Sequence, residues 1–387
     1  MLARYKNSYL SYFLMYNFYF LSWALFSTLI SVYLLDKGYR PSQVSLVVSI
    51  SFFASMVAQP FLGVLSDRFK VKTVITVSFL LTIIGSLLFL FSDSLWLYAL
   101  SYSIVILLVN GANPVLEQLA TTSHFAYGKL RIWGTVGYAV GSQIAGLLYD
   151  NISPSSIYIA FIVTMLLAII GVLGTPSQER KPKVSQNKKE SSFSSLFGNR
   201  VFILYLIVSI IYSGIMNTGH TYIPAMLESD GLSVGLATTV VSIAVLCEGP
   251  LSLFSFLFMD RFKSKQLLYL SVSMVFFQYL IYALDINLAS KVIVTLIAKH
   301  VAGMLYIMVN MKIVSSLVDR SYLLTALALV QTGRNLGSVI FQNIAGQILD
   351  VSSYSVMCSV LVVFLGFVLI SVHFLKLPSG TDQKLFS

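Results

Sequence analysis

Long apolar segments separated by short polar loops make up most of the chain. Runs such as Val74–Phe91 and Met357–Phe374 contain no Asp, Glu, Lys or Arg. About twenty residues of this kind cross the hydrocarbon core of a bilayer when they form a helix. A helix is the structure in which a single span satisfies its own backbone hydrogen bonds. The pattern therefore predicts an all-α membrane protein.

Twelve spans are predicted from these runs. Their bounds are 7–35, 42–65, 73–92, 95–120, 129–149, 155–174, 200–227, 234–258, 266–284, 288–316, 321–349 and 353–376. The stretch 175–199 is polar and rich in Lys, Ser, Pro and Gln, as flexible linkers are. It is predicted to be a cytoplasmic linker between an N-terminal six-helix bundle, 1–174, and a C-terminal six-helix bundle, 200–387.

The two predicted bundles resemble each other at a nearly constant offset. Nine residues between positions 38 and 70 recur unchanged 193 positions later. Further along, QIAGLLYD, which ends at Asp150, is echoed by NIAGQILD, which ends at Asp350, an offset of 200. Parallel repeats of this kind build one large class of transporters, whose substrate site lies between the halves near the bilayer midplane.

Composition and charge indicate how the chain is oriented in the membrane. Of the 387 residues, 57% are hydrophobic and 10% are charged, and the mean hydropathy is +0.84. The net charge of +10 does not indicate nucleic-acid binding, because eighteen basic residues fall in loops on one side of the membrane. Loops on the other side hold only three, Lys37, Arg40 and Lys291. The positive-inside rule then places both termini in the cytoplasm, with the protein in the cell inner membrane.

Several function classes have no residues to support them. Cys247 and Cys358 lie far apart in apolar segments, which argues against a disulfide framework or a paired-cysteine metal site. The sequence has no phosphate-binding glycine loop, zinc-ligand spacing or nucleophile elbow, so no enzyme activity, metal or cofactor is predicted. Both halves are in one chain, and we therefore expect a monomer to suffice.

Eight ionisable residues within the predicted spans are the candidate functional residues. They are Glu117, Arg131, His220, Glu248, Lys299, His300, Lys312 and Arg334. A charge at membrane depth costs several kcal/mol unless it faces a cavity or a partner, which makes each one a site hypothesis. Lys312 lies close to the cytoplasmic end of its span, where a lysine is expected to snorkel to the interface.

Glu117 and Arg131 lie on consecutive antiparallel spans, so an ion pair between them is geometrically possible. An arginine fork bonds bidentately to a carboxylate or to two neighbouring hydroxyls. The pair can therefore bind substrate, or it can be a structural salt bridge between two helices. Arg334, in TGRNLGS of the eleventh span, is a candidate for lining the cavity or binding an anionic substrate.

Glu248 precedes Gly249 and Pro250, where a kink in the eighth span would open the helix to a cavity. A carboxyl group in such a place can bind substrate or take up a proton. Lys299 or His300 can supply its counter-charge, and only one of them can point into the cavity, since successive helical residues are about 100° apart. His300 is the preferred choice because histidine titrates near neutral pH.

Aromatic and glycine residues complete the candidate cavity. Tyr16, Tyr19 and Trp23 share one stripe of the first span, suited either to packing or to stacking on a sugar or aromatic ring. Glycines recur along the fifth span at positions 134, 137, 141 and 146. Close helix packing explains them better than contact with a ligand.

The segment QPFLGVLSDRFKVK, from Gln59 to Lys72, resembles the loop signature of the major facilitator superfamily. That family's fold is two pseudo-symmetric six-helix bundles. By this resemblance Gly63, Asp67 and Arg68 would form a cytoplasmic gate. The repeat adds their counterparts in the second half, Asp260 and Arg261.

The run from Asn113 to Ser142, with YGKLRIWG at its centre, narrows the resemblance. It is similar to the lactose-permease-like oligosaccharide:proton symporters and to their phenylpropionate-permease-like relatives. By that resemblance Glu117 and Arg131 would hold sugar hydroxyls. Tyr138 takes the place of the family's stacking tryptophan, while Glu248 and His300 match its eighth-span carboxylate and tenth-span histidine.

Part of the family's proton-handling set is missing. The tenth-span carboxylate would fall near Ala302 and the ninth-span arginine near Gln278. The acidic member of the charged pair between the seventh and tenth spans is also lacking, since Met216, Asn217 and His220 occupy that region. A proton-coupled mechanism in this chain would therefore have to use Glu248 with His300 or Lys299.

The sequence favours a proton-coupled uptake permease for a sugar or short oligosaccharide that works by alternating access of its two halves. A second hypothesis keeps the fold and takes an organic acid, an aromatic acid or a nucleoside, with Arg131 or Arg334 meeting a carboxylate. Bases outnumber acids inside the spans, which favours this second hypothesis. Export of drugs or sugars is a third, and a membrane sensor without transport is a fourth.

Overall fold

The computed structural model describes residues 5–176, 198–259, 261–318 and 323–377. Over these ranges fourteen helices form twelve spans. The first span is two helices, Tyr9–Ser27 and Ile30–Asp36, and spans two to six are Pro41–Arg68, Val71–Leu90, Leu95–Thr121, Tyr127–Asn151 and Ser156–Gly174. The seventh is Arg200–Ser229, the eighth is Val234–Leu253 with the short helix Ser255–Phe258, and the last four are Ser264–Leu284, Leu288–Leu317, Leu323–Val351 and Tyr354–Phe374.

The prediction of an all-α fold with about twelve spans is confirmed. Among the described residues, ten segments are long and apolar enough to cross a membrane. The fifth and eleventh spans are not among these ten, and they carry Arg131 and Arg334. A helix tolerates such polarity at membrane depth only when its polar side faces protein or a cavity. Most of the predicted linker, residues 177–197, lies outside the described residues.

Two hydrophobic cores organise the molecule, one built almost entirely from the first six spans and the other almost entirely from the last six. The halves meet along two pairs of helices, the fifth with the eighth and the second with the eleventh. The repeat relates these pairs, because it superimposes the second span on the eighth and the fifth on the eleventh. The second helix of the first span also contacts the seventh span.

Close helix packing explains the glycines of the fifth span, as predicted. A Cβ at Gly137 would collide with the backbone carbonyl of Asn17 in the first span. The second half repeats this contact, because a Cβ at Gly337 would collide with the carbonyl of Ile210. A backbone carbonyl in a helix cannot turn aside as a side chain can, so only glycine fits at these crossings.

The halves are tied together at the end of the molecule opposite the termini, which we call the closed end. The Asp150 carboxylate accepts a 2.7 Å hydrogen bond from the Gly235 backbone N–H, at the start of the eighth span. The Asp350 carboxylate accepts one of 2.9 Å from the Ser42 backbone N–H, at the start of the second span. Each carboxylate therefore caps a helix N-terminus of the other half, where the helix dipole favours negative charge.

Further contacts between the halves extend from the closed end towards the middle of the spans. Tyr222 donates to the Pro41 carbonyl at 2.7 Å, and the Ser45 hydroxyl donates to the Gln342 carbonyl at 2.6 Å. The Ser242 hydroxyl donates to the Ala139 carbonyl at 2.8 Å. All of these contacts lie between the middle of the spans and the closed end.

Two lysines differ from their predicted places. Lys291, counted with the outer loops although it falls at the start of the predicted span 288–316, lies in the first turn of the tenth span and is 3% exposed. Its ammonium group pairs with Asp230 at 2.7 Å and with Asp285 at 2.5 Å, because three helix ends meet there. Lys312, expected to snorkel, is 1% exposed and donates to the Met259 carbonyl at 2.6 Å, so its ammonium group is held within the protein.

Candidate functional site

Three polar residues of the fifth span form one stripe beside the seam between the halves. Arg131, Thr135 and Tyr138 are four and three residues apart, which places them on the same face of the helix. Arg131 faces Glu117, Thr135 faces Glu248, and Tyr138 lies beside Trp23 and His300. This stripe is the axis of the candidate site.

Glu117 lies at the centre of a polar network near the end of the fourth span. Tyr16 donates to one carboxylate oxygen at 2.5 Å and Tyr127 donates to the other at 2.7 Å. Arg131 Nε lies 3.7 Å from Glu117 Oε1, and its guanidinium is 5.4 Å from the centre of the Phe20 ring. The ion pair that the sequence allows between Glu117 and Arg131 is present. Both side chains keep about a quarter of their surface exposed, 28% and 26%, so the pair can reach a solute.

Glu248 connects the two halves. Thr135 of the first half donates to Glu248 Oε1 at 3.4 Å, and His300 Nδ1 of the second half lies 3.7 Å from Glu248 Oε2. The His220 ring lies edge-on to His300, with 5.3 Å between the ring centres. Among the described residues, His300 Nε2 is a buried polar atom with no hydrogen-bond partner. The site therefore contains a carboxylate and two imidazoles in close contact.

Aromatic rings lie beside these polar groups. Trp23 and Tyr138 are half-buried and meet edge to face with 6.4 Å between centres, and Tyr138 lies at the same distance from His300. Tyr16 and Tyr19 are fully buried, and Tyr19 donates to the Val109 carbonyl at 2.7 Å. Of the predicted aromatic stripe on the first span, Trp23 is thus the member with exposed ring surface.

Arg334 lies in the second half, apart from these groups, and its described partners are all uncharged. Its Nε donates to the Ser213 hydroxyl at 3.0 Å and its Nη1 donates to Gln331 Oε1 at 3.2 Å. The guanidinium is also 5.7 Å from the centre of the Tyr306 ring. An arginine with only neutral partners keeps its full charge available for an anion.

The remaining predicted residues have varied surroundings. Lys299 is 3% exposed, and its neighbour His300 is the residue that meets Glu248. Gly63, Asp67 and Arg68 lie at the end of the second span, and Arg261 is exposed in the loop after the eighth. The side-chain surroundings of Gly63, Asp67 and Arg68, and the whole of Asp260, lie outside the described part of the chain.

Sequence reasoning missed Tyr127 and Thr135 and gave no role to Ser213. A signal for the first two was available, because Tyr127, Arg131, Thr135 and Tyr138 follow helical spacing along one face. Ser213 carries no such signal. Its contact with Arg334 joins residues 121 positions apart, and only packing of the seventh span against the eleventh creates it.

Two helical bundles with polar groups facing each other across the seam at membrane depth define a membrane transport protein for small solutes. The family model of the Major Facilitator Superfamily matches residues 12–311. The chain belongs to that superfamily, as the resemblance of its loop signature predicts.

Relatives known from sequence are also transporters. The chain is 26% identical over 276 residues to an uncharacterized transporter, YwbF, of Bacillus subtilis, a match that covers 69% of this chain and 68% of the relative. It is 24% identical over 306 residues to the sucrose permease of Escherichia coli, covering 73% of each. Other relatives are named as raffinose and melibiose permeases and as a probable 3-phenylpropionic acid transporter, which confirms the predicted branch.

Solved structures agree on the fold. A point mutant of the nucleoside transporter NupG superimposes with a TM-score of 0.82, covering 95% of this chain and 99% of NupG. The two sequences are 13% identical, so this likeness concerns the fold alone.

Proposed function

We propose that the protein is a proton-coupled symporter that takes up a sugar or short oligosaccharide by alternating access. One observation carries the proposal. The Glu117–Arg131 pair, with carboxylate and guanidinium 3.7 Å apart and about a quarter exposed, lies two turns of one helix from the half-buried Tyr138 ring. The name of the sucrose permease among the relatives supports the same substrate class.

Recognition of a sugar needs planar polar groups and an aromatic face. The Arg131 fork donates to two adjacent hydroxyls and the Glu117 carboxylate accepts from a third, as bidentate groups do. Tyr138 and Trp23 supply rings against the apolar face of the pyranose. Tyr16 and Tyr127 hold the carboxylate in position before the sugar arrives.

Proton coupling in this proposal uses Glu248. The carboxylate contacts Thr135 of one half and His300 of the other, so its protonation removes a negative charge from the seam between the halves. His300 is the counter-charge that favours loss of the proton, and Lys299 is the second cation close by. When His300 is protonated, its unpartnered Nε2–H can donate a hydrogen bond to a substrate oxygen.

The remaining parts of the proposal concern placement. The protein lies in the cell inner membrane with both termini in the cytoplasm, following the positive-inside distribution of its loops. Residues 175–199 link the bundles 1–174 and 200–387. Gly63, Asp67 and Arg68, with Asp260 and Arg261, act as a cytoplasmic gate, and one chain works as a monomer.

The test records external pH in a weakly buffered suspension of energy-depleted cells that express the protein. Sugars, nucleosides and aromatic acids are added one at a time. We expect alkalinisation after a neutral sugar, loss of this signal in Glu248→Gln, and no loss in the control Asp93→Asn, an exposed carboxylate in a loop of the first half. Substrate exchange in proteoliposomes that does not depend on pH, without proton flux, would contradict the coupling.

A second candidate substrate is an organic acid, because the described partners of Arg334 are all uncharged. Lys299, His220 and His300 are further basic residues within the spans of the same half. A carboxylate on the substrate would complete the Arg334 site. Arg334→Gln separates the two candidates. It would leave sugar uptake within about twofold of wild type but would abolish uptake of an acid, since an uncompensated anion costs several kcal/mol at membrane depth.

A further inference from the structure

A cavity of about 390 Å³ lies where the ninth span begins and the twelfth span ends, away from the seam between the halves. Its lining residues are Lys263, Lys265, Gln266, Tyr269 and His373. Both helix ends belong to the terminus-bearing end of the molecule. We propose that this cavity binds the phosphate group of an anionic phospholipid.

The charges and dipoles at the cavity suit a phosphate. Lys263 and His373 are exposed, and neither has an acidic partner among the described residues. Lys263 directly precedes the first turn of the ninth span, whose N-terminal dipole favours an anion. Lysine binds phosphate as a point charge, and basic pockets between membrane helices are known to take lipid headgroups.

One lysine of the cavity has the same structural contact in both halves. Lys265 donates to the His373 carbonyl at 2.6 Å and so joins the twelfth span to the ninth. Its repeat counterpart, Lys72, donates in the same way to the Leu173 carbonyl and, at 3.0 Å, to the Thr175 carbonyl. This lysine clamp is therefore a shared structural feature of both halves.

Two groups are present only in the second half. At the counterparts of His373 and Tyr269 the first half has Leu173 and Thr76, which provide no imidazole and no phenol. The second half thus has an imidazole, His373, and a phenol, Tyr269, beside the lysine clamp that both halves share. Helix stability alone does not require these additions, because the first half forms the same clamp without them.

The surface next to the cavity indicates a lipid as the source of the phosphate. Leu270 and Phe277 of the ninth span are 51% and 58% exposed, and Ile370 and Phe374 of the twelfth are 59% and 68% exposed. Apolar faces of this kind lie against acyl chains when the helices span a membrane. Tyr269 lies between the basic groups and these apolar faces, at the level where tyrosines collect in membrane proteins.

The experiment uses native mass spectrometry of the purified full-length protein with phosphatidylglycerol, phosphatidylcholine or inorganic phosphate. We expect retained phosphatidylglycerol to exceed phosphatidylcholine several-fold. Lys263→Gln combined with His373→Leu, which restores the residue of the first half, would lower phosphatidylglycerol retention about fivefold. The matched control Lys70→Gln, at the repeat counterpart of Lys263, would retain it.

Three outcomes would overturn the proposal. They are equal phosphatidylglycerol retention in the double variant and wild type, an equal loss in Lys70→Gln, and displacement of the lipid by millimolar inorganic phosphate, which would indicate a site for free phosphate. Lys263→Gln with His373→Arg tests the result independently of folding. It keeps a cation at position 373 in addition to Lys265, so its lipid retention should lie between those of the wild type and the first double variant, and its thermal unfolding should match the wild type.

Discussion

Glu117 is a carboxylate within a membrane span whose charge is compensated before any substrate binds. Two phenols donate to its two oxygens and an arginine lies within 3.7 Å. Hydrogen bonds to a charged group contribute about 1.5–3 kcal/mol each, more than those between neutral groups. A sugar that binds here meets a carboxylate already held in place by these partners, and the lone pairs that remain on it can accept from the sugar hydroxyls.

Tyr127→Phe tests this network at the level of one atom. The variant removes the donor to Glu117 Oε2 but leaves Tyr16 and Arg131 in place. A loss of about 1.4 kcal/mol of binding free energy, the size of one hydrogen bond to a charged group, would raise the KM for the transported sugar about tenfold. The measurement is initial uptake rate against sugar concentration. Tyr39→Phe, which removes a phenol near the closed end, serves as control and should leave the KM unchanged.

Glycine positions decide how closely helices approach within each bundle. Gly137 packs directly against the backbone of the first span, whereas Gly128 has open space where a Cβ would be. Gly137→Ala would force the fifth and first spans apart at a cost of about 1–3 kcal/mol, typical of overpacking. Gly128→Ala is the matched control. Thermal unfolding in detergent should show a lower midpoint for the first variant only, and equal midpoints would contradict this packing.

Two carboxylates hold helix ends together at the closed end. Asp150 and Asp350 cap the eighth and second spans across the seam, and each cap contributes about 1 kcal/mol as a charge at a helix N-terminus. The double variant Asp150→Asn, Asp350→Asn should therefore open the closed end more often. Reaction of an impermeant maleimide with Ser45→Cys, fully buried here, should accelerate several-fold in a protein whose own cysteines are replaced by serine.

Asp93→Asn is the control for this labelling experiment, since it removes a carboxylate from an exposed loop without touching the seam. It should leave the labelling rate at Ser45→Cys unchanged. An unchanged rate in the double variant would mean that the other seam contacts, such as Ser242 with Ala139, hold the closed end without the carboxylates.

On the scale of the whole molecule, the two halves are expected to rock about the central site. A short bifunctional thiol reagent across Ser42→Cys and Asp350→Cys would hold the closed end together, because the Ser42 N–H and the Asp350 carboxylate are 2.9 Å apart. Transport should stop after cross-linking and return when a cleavable linker is reduced. A cross-linked protein that still transports at the wild-type rate would contradict alternating access through this seam.

Element order and membrane character followed from the sequence, because hydropathy alone decides which segments leave water. For the fifth span, hydropathy predicted the helix to within two residues at each end. Residues 129–149 were predicted and the helix is Tyr127–Asn151, even though its polar face makes it less apolar than its neighbours. Lys291 shows the limit, since a prediction from loop position cannot detect that Asp230 and Asp285 fold against it.

The candidate site was predictable in its members and only partly in its contacts. An ionisable residue in an apolar run is visible in the sequence because its burial would be costly, and Glu117, Arg131, Glu248 and His300 were found in this way. Their partners depend on the rotation of each helix about its axis. That rotation is set by contacts such as Gly137 with Asn17, between residues 120 positions apart.

The sequence by itself determined that the protein spans a membrane many times, that it contains a two-fold repeat and which charged residues lie within its spans. Hydropathy, self-similarity and charge are local properties, and they can be read without coordinates. Only the tertiary structure decided that Glu248 joins Thr135 to His300 and that Asp150 and Asp350 cap helices of the opposite halves. These contacts join residues that are distant in sequence, and they arise from the packing of helices whose apolar faces allow many arrangements.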